Sequence, residues 1–128
     1  TLLESLVENK EARIAVIGLG YVGLPLAKAI AESGFKNIIG LDIDSKKVEL
    51  INSGRAVIDT FTKNDVDELL SSGFDATTDY SSLSEADVLI ICVPTPLNQY
   101  KEPDISFITS TLKEAVNHLK KGSFLMAP

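Results

Sequence analysis

Gly18, Gly20 and Gly23 are spaced as G-x-G-x-x-G, the pattern a backbone needs to come close to an anion. Such a string means little alone. Here an apolar, β-branched run from Arg13 to Ile17 precedes it, and a segment with helical apolar spacing from Val22 to Ser33 follows. In a strand–turn–helix setting each glycine has a separate job. Gly18 allows the tight turn, Gly20 lets a pyrophosphate approach the main chain, and Gly23 lets the helix pack closely on the sheet. The helix start adds unpaired N–H groups and the positive end of its dipole, with Tyr21 and Val22 nearest the anion. An anion so placed gains about 0.3–1 kcal/mol. Pro25 falls in the first turns, where a missing N–H costs little.

Asp42 closes the next apolar run, nineteen positions after Gly23. That is where a dinucleotide site places the acid for the adenosine ribose hydroxyls. A carboxylate there repels a ribose 2′-phosphate, so the pattern favours NAD over NADP. Lys46 and Lys47 follow directly; a basic side chain there could contact the adenosine or tolerate a phosphate. Taken singly, the glycines could form a plain tight turn and Asp42 could be a solvated strand-end acid. A second stretch, Ile91-Cys92-Val93-Pro94-Thr95-Pro96-Leu97, follows a continuous apolar run. Two prolines stiffen it around the Thr95 hydroxyl, which could reach a cofactor near its ribose or pyrophosphate, or simply face solvent.

These residues need a frame, and the rest of the chain supplies one. Strands are expected at Arg13–Ile17, Asn37–Leu41, Phe74–Thr77, Val88–Val93 and Ser123–Met126. Helices are expected at Val22–Ser33, at Ser45–Ser53 with Ser45 as N-cap, at Asn64–Ser71, as a brief turn at Ser81–Glu85, and at Ser106–Leu119. Thr1–Ala12 reads as a leading arm or short helix. Strand and helix alternate throughout, the signature of a doubly wound α/β domain with a parallel sheet, a Rossmann fold. In that topology ligands sit where the strand order reverses, between the first and fourth strands.

Bulk properties agree. The 128 residues suit one domain, with 45% hydrophobic and 23% charged residues and a net charge of −6. That charge argues against nucleic acid or an anionic membrane as the main partner. No apolar run is long enough to span a bilayer. One cysteine excludes an internal disulfide and points to the cytoplasm. Cys92 in an apolar strand is expected to be a core residue, because desolvation makes a thiol a poor nucleophile. His118 near a helix end is expected to be solvated or to meet the helix C-terminus. One Cys and one His cannot build the usual metal site. Asp65, Asp67 and Glu68 read as a solvated helix face.

Gly18-Leu19-Gly20-Tyr21-Val22-Gly23-Leu24-Pro25, taken with Val93-Pro94-Thr95-Pro96, resembles the UDP-glucose/GDP-mannose dehydrogenase family. Ala76-Thr77-Thr78-Asp79 and Asn98-Gln99-Tyr100-Lys101-Glu102-Pro103-Asp104 are similar to the branch acting on UDP-N-acetylhexosamines, especially the UDP-N-acetylglucosamine 6-dehydrogenases. The resemblance covers nearly everything after Ala12. It implies oxidation of a sugar C6 alcohol to a carboxylate with two NAD, a homo-oligomeric full-length protein, and a UDP-sugar bound through a further domain. Tyr21 and Val22 would meet the pyrophosphate, Asp42 the ribose, Lys47 the adenosine side and Thr95 the inner half of the cofactor. The 98–104 loop would approach the sugar-nucleotide crevice. The family's cysteine nucleophile, with its lysine and asparagine, belongs to a later domain, so no catalytic residue is expected here. Where the family carries a glutamate after the fifth strand, this chain has Ala127-Pro128. Alternatives are a hydroxyacid dehydrogenase, which the Val93–Asp104 stretch disfavours, and an NAD-sensing module without chemistry.

Overall fold

The computed structural model describes residues 2–92, 109–110, 113, 117–118 and 124–126. Five strands, β1 (Ile14–Ile17), β2 (Ile38–Leu41), β3 (Phe74–Thr77), β4 (Val88–Ile91) and β5 (Phe124–Met126), form one sheet in the order β3-β2-β1-β4-β5. Every pairing is parallel. The order reverses at β1, which lies between β2 and β4 as expected. Four helices, α1 (Leu2–Glu8), α2 (Gly23–Glu32), α3 (Ser45–Asn52) and α4 (Lys63–Ser71), and a 3-10 helix η1 (Tyr80–Glu85) complete the described elements. Among the described residues no helix is long and apolar enough to cross a membrane.

Strand alternation divides the core between the two faces of the sheet. Ile14, Val16, Ile38, Phe74 and Ile90 belong to one cluster, joined by Leu24 and Ala27 of α2, Val48 and Ile51 of α3, and Val66 and Leu69 of α4. Ala15, Ile17, Leu41, Leu89 and Ile91 pack on the other face against Leu83 of η1 and Ala86. Burial on both faces is why β1 and β4 read as unbroken apolar runs. Each fully buried leucine or isoleucine contributes roughly 1.5–3 kcal/mol.

The free edge of β3 is closed by one side chain. The Ala76 N–H donates to Asn52 Oδ1 (3.1 Å), and Asn52 Nδ2 donates to the Ala76 carbonyl (2.9 Å). Asn52 thereby takes the place of a further strand at the last residue of α3.

Three expectations need correction. The N-cap of α3 is Asp44, not Ser45: its carboxylate accepts from the Lys46 and Lys47 N–H groups, and Ser45 is already helical. β4 stops at Ile91, so Cys92 lies just beyond the strand and is only partly buried. The acidic face of α4 is not merely solvated. Asp65 completes a capping box with Thr62, and Lys28 Nζ of α2 lies 3.2 Å from Asp65 and 3.3 Å from Glu68. The helix expected at Ser106–Leu119 falls mostly outside the described residues; Thr109, Ser110 and Lys113 are helical.

Candidate functional site

The corner from β1 to α2 is held by main-chain bonds to both neighbouring strands. The Gly18 N–H donates to the Leu41 carbonyl (2.7 Å), and the Cys92 N–H donates to the Ile17 carbonyl (2.6 Å). Gly18 has φ +97°, a conformation side-chain-bearing residues rarely adopt. Gly23 is needed for a different reason: a Cβ there would lie 1.7 Å from the Gly18 carbonyl oxygen. Gly20 is different again. A Cβ at Gly20 would meet nothing within 4 Å among the described residues, whose packing leaves that space open.

The start of α2 is also open. Its N-cap, Val22, offers no side-chain hydrogen bond, whereas Asp44, Thr62 and Asp79 cap α3, α4 and η1. The N–H groups of Gly20, Tyr21 and Val22 donate to no partner among the described residues. The structure therefore presents unpaired donors beside an open space at the positive end of a ten-residue helix, an arrangement suited to phosphate.

Asp42 faces this corner. Its side chain is 11% exposed. Oδ2 accepts from the Leu19 N–H (2.9 Å) inside the glycine turn, and Oδ1 accepts from the Asp44 N–H (2.9 Å). Lys47 Nζ lies 3.5 Å from Oδ2. A carboxylate has about four lone-pair directions, so acceptor capacity remains for a hydroxyl ligand. Gly18, Gly20, Tyr21, Val22, Gly23, Asp42 and Lys47 thus converge on one end of the sheet. Thr95 and the 98–104 loop lie outside the described residues.

Several residues of the corner escape a pattern reading. Ile43, beside Asp42, is 69% exposed; with Tyr21 (64%) and Val22 (56%) it accounts for three of the four exposed large hydrophobic residues described. An apolar rim of this kind suits the flat faces of a nucleotide. Asp59, in the turn bridged by Ile58 and Phe61, raises the Tyr21 phenol above its ordinary pKa through a hydrogen bond and its charge. Asp59 is remote in sequence and carries no local signal. Asp44 could have been found, because aspartate caps as well as serine and precedes Ser45. Burial raises the Cys92 thiol pKa, the direction that disfavours the nucleophilic thiolate.

Comparison with known proteins agrees with this geometry. Residues 12–127 match the model of the NAD binding domain of the UDP-glucose/GDP-mannose dehydrogenase family. The chain is 38% identical over 116 residues to a UDP-N-acetyl-D-mannosamine dehydrogenase of Pyrococcus horikoshii, covering 89% of this chain and 27% of that protein. The solved structure of that enzyme superposes with a TM-score of 0.81 over 90% of this chain and 28% of its own. A UDP-N-acetyl-D-glucosamine 6-dehydrogenase of Salmonella typhi is 33% identical over 116 residues, covering 91% of this chain and 26% of that protein. The ternary complex of a Pseudomonas aeruginosa GDP-mannose dehydrogenase superposes with a TM-score of 0.74 at 29% identity, over 83% of this chain and 25% of its own. The chain spans about a quarter of the length of these relatives. Together the matches favour the nucleotide-sugar dehydrogenase reading over both alternatives drawn from the sequence. The chain belongs to the UDP-glucose/GDP-mannose dehydrogenase family and corresponds to its NAD-binding domain.

Proposed function

We propose that the β1–α2 corner holds NAD, with the pyrophosphate over Gly20. The carrying observation is the open space at Gly20 beside unpaired N–H groups at a helix start that lacks a side-chain cap. Gly18 and Gly23 shape the turn, and Tyr21 and Val22 donate to the phosphates. Asp42 accepts from the adenosine ribose hydroxyls. Lys47 flanks the adenosine while holding Asp42, and Ile43 lies against the base. Thr95, read from its place in the Pro94–Pro96 loop, completes the set near the inner half of the cofactor. Residues 13–128 form the cofactor domain and residues 1–12 its leading arm.

The whole protein oxidises the C6 alcohol of a UDP-N-acetylhexosamine to a carboxylate, a reading supported by the enzymes named above. Alcohol to carboxylate removes two hydrides, so two NAD are consumed per sugar. NAD, when bound, supplies the hydride acceptor. This domain positions it: the amides fix the phosphates, Asp42 fixes the ribose, and the rigid end of the sheet sets where the reacting ring meets the sugar. The sugar nucleotide is bound through a further domain. The setting is cytoplasmic and the whole protein homo-oligomeric.

Titration of this chain with NAD and NADP tests the cofactor assignment. NAD is expected to bind and NADP to bind at least about tenfold more weakly, as one like-charge contact at a ribose phosphate dictates. Asp42→Ala should narrow that ratio. Equal affinity of the parent chain for both cofactors would overturn the assignment to Asp42.

A further inference from the structure

Asp42, Asp44 and Lys47 form a closed circuit in which Asp44, outside the contact set proposed above, bonds to the segments that carry both other members. The Asp44 N–H donates to Asp42 Oδ1 at 2.9 Å. Its own Oδ1 accepts from the N–H groups of Lys46 (3.1 Å) and Lys47 (3.2 Å). The Val48 N–H donates to its carbonyl (3.1 Å), so α3 is anchored on Asp44 at two points. Lys47 then returns from the first turn of α3 to Asp42 at 3.5 Å. Asp42 in turn holds the Leu19 N–H of the glycine turn at 2.9 Å. One capping side chain therefore orders the peptide that pins one oxygen of Asp42 and the helical turn that carries the cation beside the other.

From this circuit we infer that Asp44 is a positioning residue for cofactor selection: its cap on α3 sets the orientation of Asp42 toward the glycine turn and the ribose. The inference rests on the NAD assignment above for its binding consequence, while its structural consequence stands apart from any ligand. Without the cap, the Asp44 peptide and the first turn of α3 gain freedom, and Asp42 loses a fixed donor and a fixed cation together. Val48 and Ile51 keep the rest of α3 seated in the core.

The test uses this chain with Asp44→Ala and Asp44→Ser. Serine caps as well as aspartate without the charge, so it separates geometry from electrostatics. Asp44→Ala is expected to weaken NAD binding about fivefold, on the scale of a lost cap, and to lower the preference for NAD over NADP. Asp44→Ser should restore most of both. Hydrogen exchange at the Leu19 amide is the ligand-free readout. It should accelerate in Asp44→Ala and return toward the parent rate in Asp44→Ser, whereas a cap that merely stabilised α3 would leave it unmoved. Unchanged Leu19 exchange in Asp44→Ala overturns the inference, and so does a serine variant as impaired as the alanine one. A parent chain that fails to bind NAD counts against the cofactor assignment, and the Leu19 exchange then decides the positioning role by itself.

Discussion

Gly20 and Gly23 sit three positions apart in one turn and answer to different constraints. At Gly23 the nearest obstacle to a side chain is the Gly18 carbonyl, which is main chain and cannot step aside. Gly23→Ala should therefore cost stability, roughly 1–3 kcal/mol or more for forced overpacking, visible as a lower urea midpoint. At Gly20 a methyl group meets no atom within 4 Å among the described residues beyond its chain neighbours. Gly20→Ala should melt with the parent yet lose much of its NAD affinity, which calorimetric titration would register. A Gly20→Ala chain that binds NAD like the parent would move the pyrophosphate elsewhere. The two glycines look alike in sequence; only the motif's ligand geometry separates them beforehand, and the structure supplies the steric reason. Asp42 was legible for a related reason, since its distance from the glycines is fixed by the length of one helix and one strand. Asp59 was not, because its approach to Tyr21 depends on how the α3–α4 connection folds back over the corner. Asp59→Asn should bring the Tyr21 phenol down toward its ordinary pKa, measurable by ultraviolet titration of phenolate formation.

Elements were legible where burial alone decides them. β1 and β4 lie in the sheet interior, so their apolar runs announce themselves, and β3, expected at Phe74–Thr77, has those bounds in the structure with burial alternating along it. Element ends were less legible, because caps are chosen by side-chain geometry among chemically similar candidates, as Asp44 and Ser45 illustrate. The closing of the β3 edge was invisible, since it depends on an asparagine at the end of a helix meeting a strand 24 residues away. Asn52→Ala would strand the N–H and carbonyl of Ala76 in a partly buried place. A loss of about 1–3 kcal/mol is expected for unpaired groups of this kind, read as a fall in melting temperature against Asn52→Gln and the parent. The α2–α4 contact carries a pH signature. Asp65 titrates below the ordinary aspartate range, first through the Thr62 backbone N–H and then through Lys28. Its folded pKa is lower than its unfolded one, so its contribution is present above the unfolded value and fades as pH falls through the folded value. Asp65→Asn, which removes the titrating carboxylate, should flatten the acid limb of the stability–pH curve followed by urea unfolding, by a modest amount because the group is partly solvent-exposed.

At the scale of the whole molecule, the sheet brings a glycine corner, an acid and an apolar rim to one end, with no activated nucleophile beside them among the described residues. The chain's one cysteine follows β4 at the same end, with its amide bonded to Ile17. That position invites a catalytic reading, yet burial raises the thiol pKa and no cation near it is described as lowering it. A thiol so placed is mostly protonated near neutral pH and reacts slowly. This chain by itself, given NAD and a UDP-N-acetylhexosamine, is therefore expected to form no NADH above the blank, and Cys92→Ser to change neither that result nor NAD affinity by more than about twofold. Absorbance at the reduced-nicotinamide band, followed in parent and variant, checks both. Turnover that disappears with Cys92→Ser would instead make Cys92 the nucleophile and require the thiol to leave its half-buried place during the reaction.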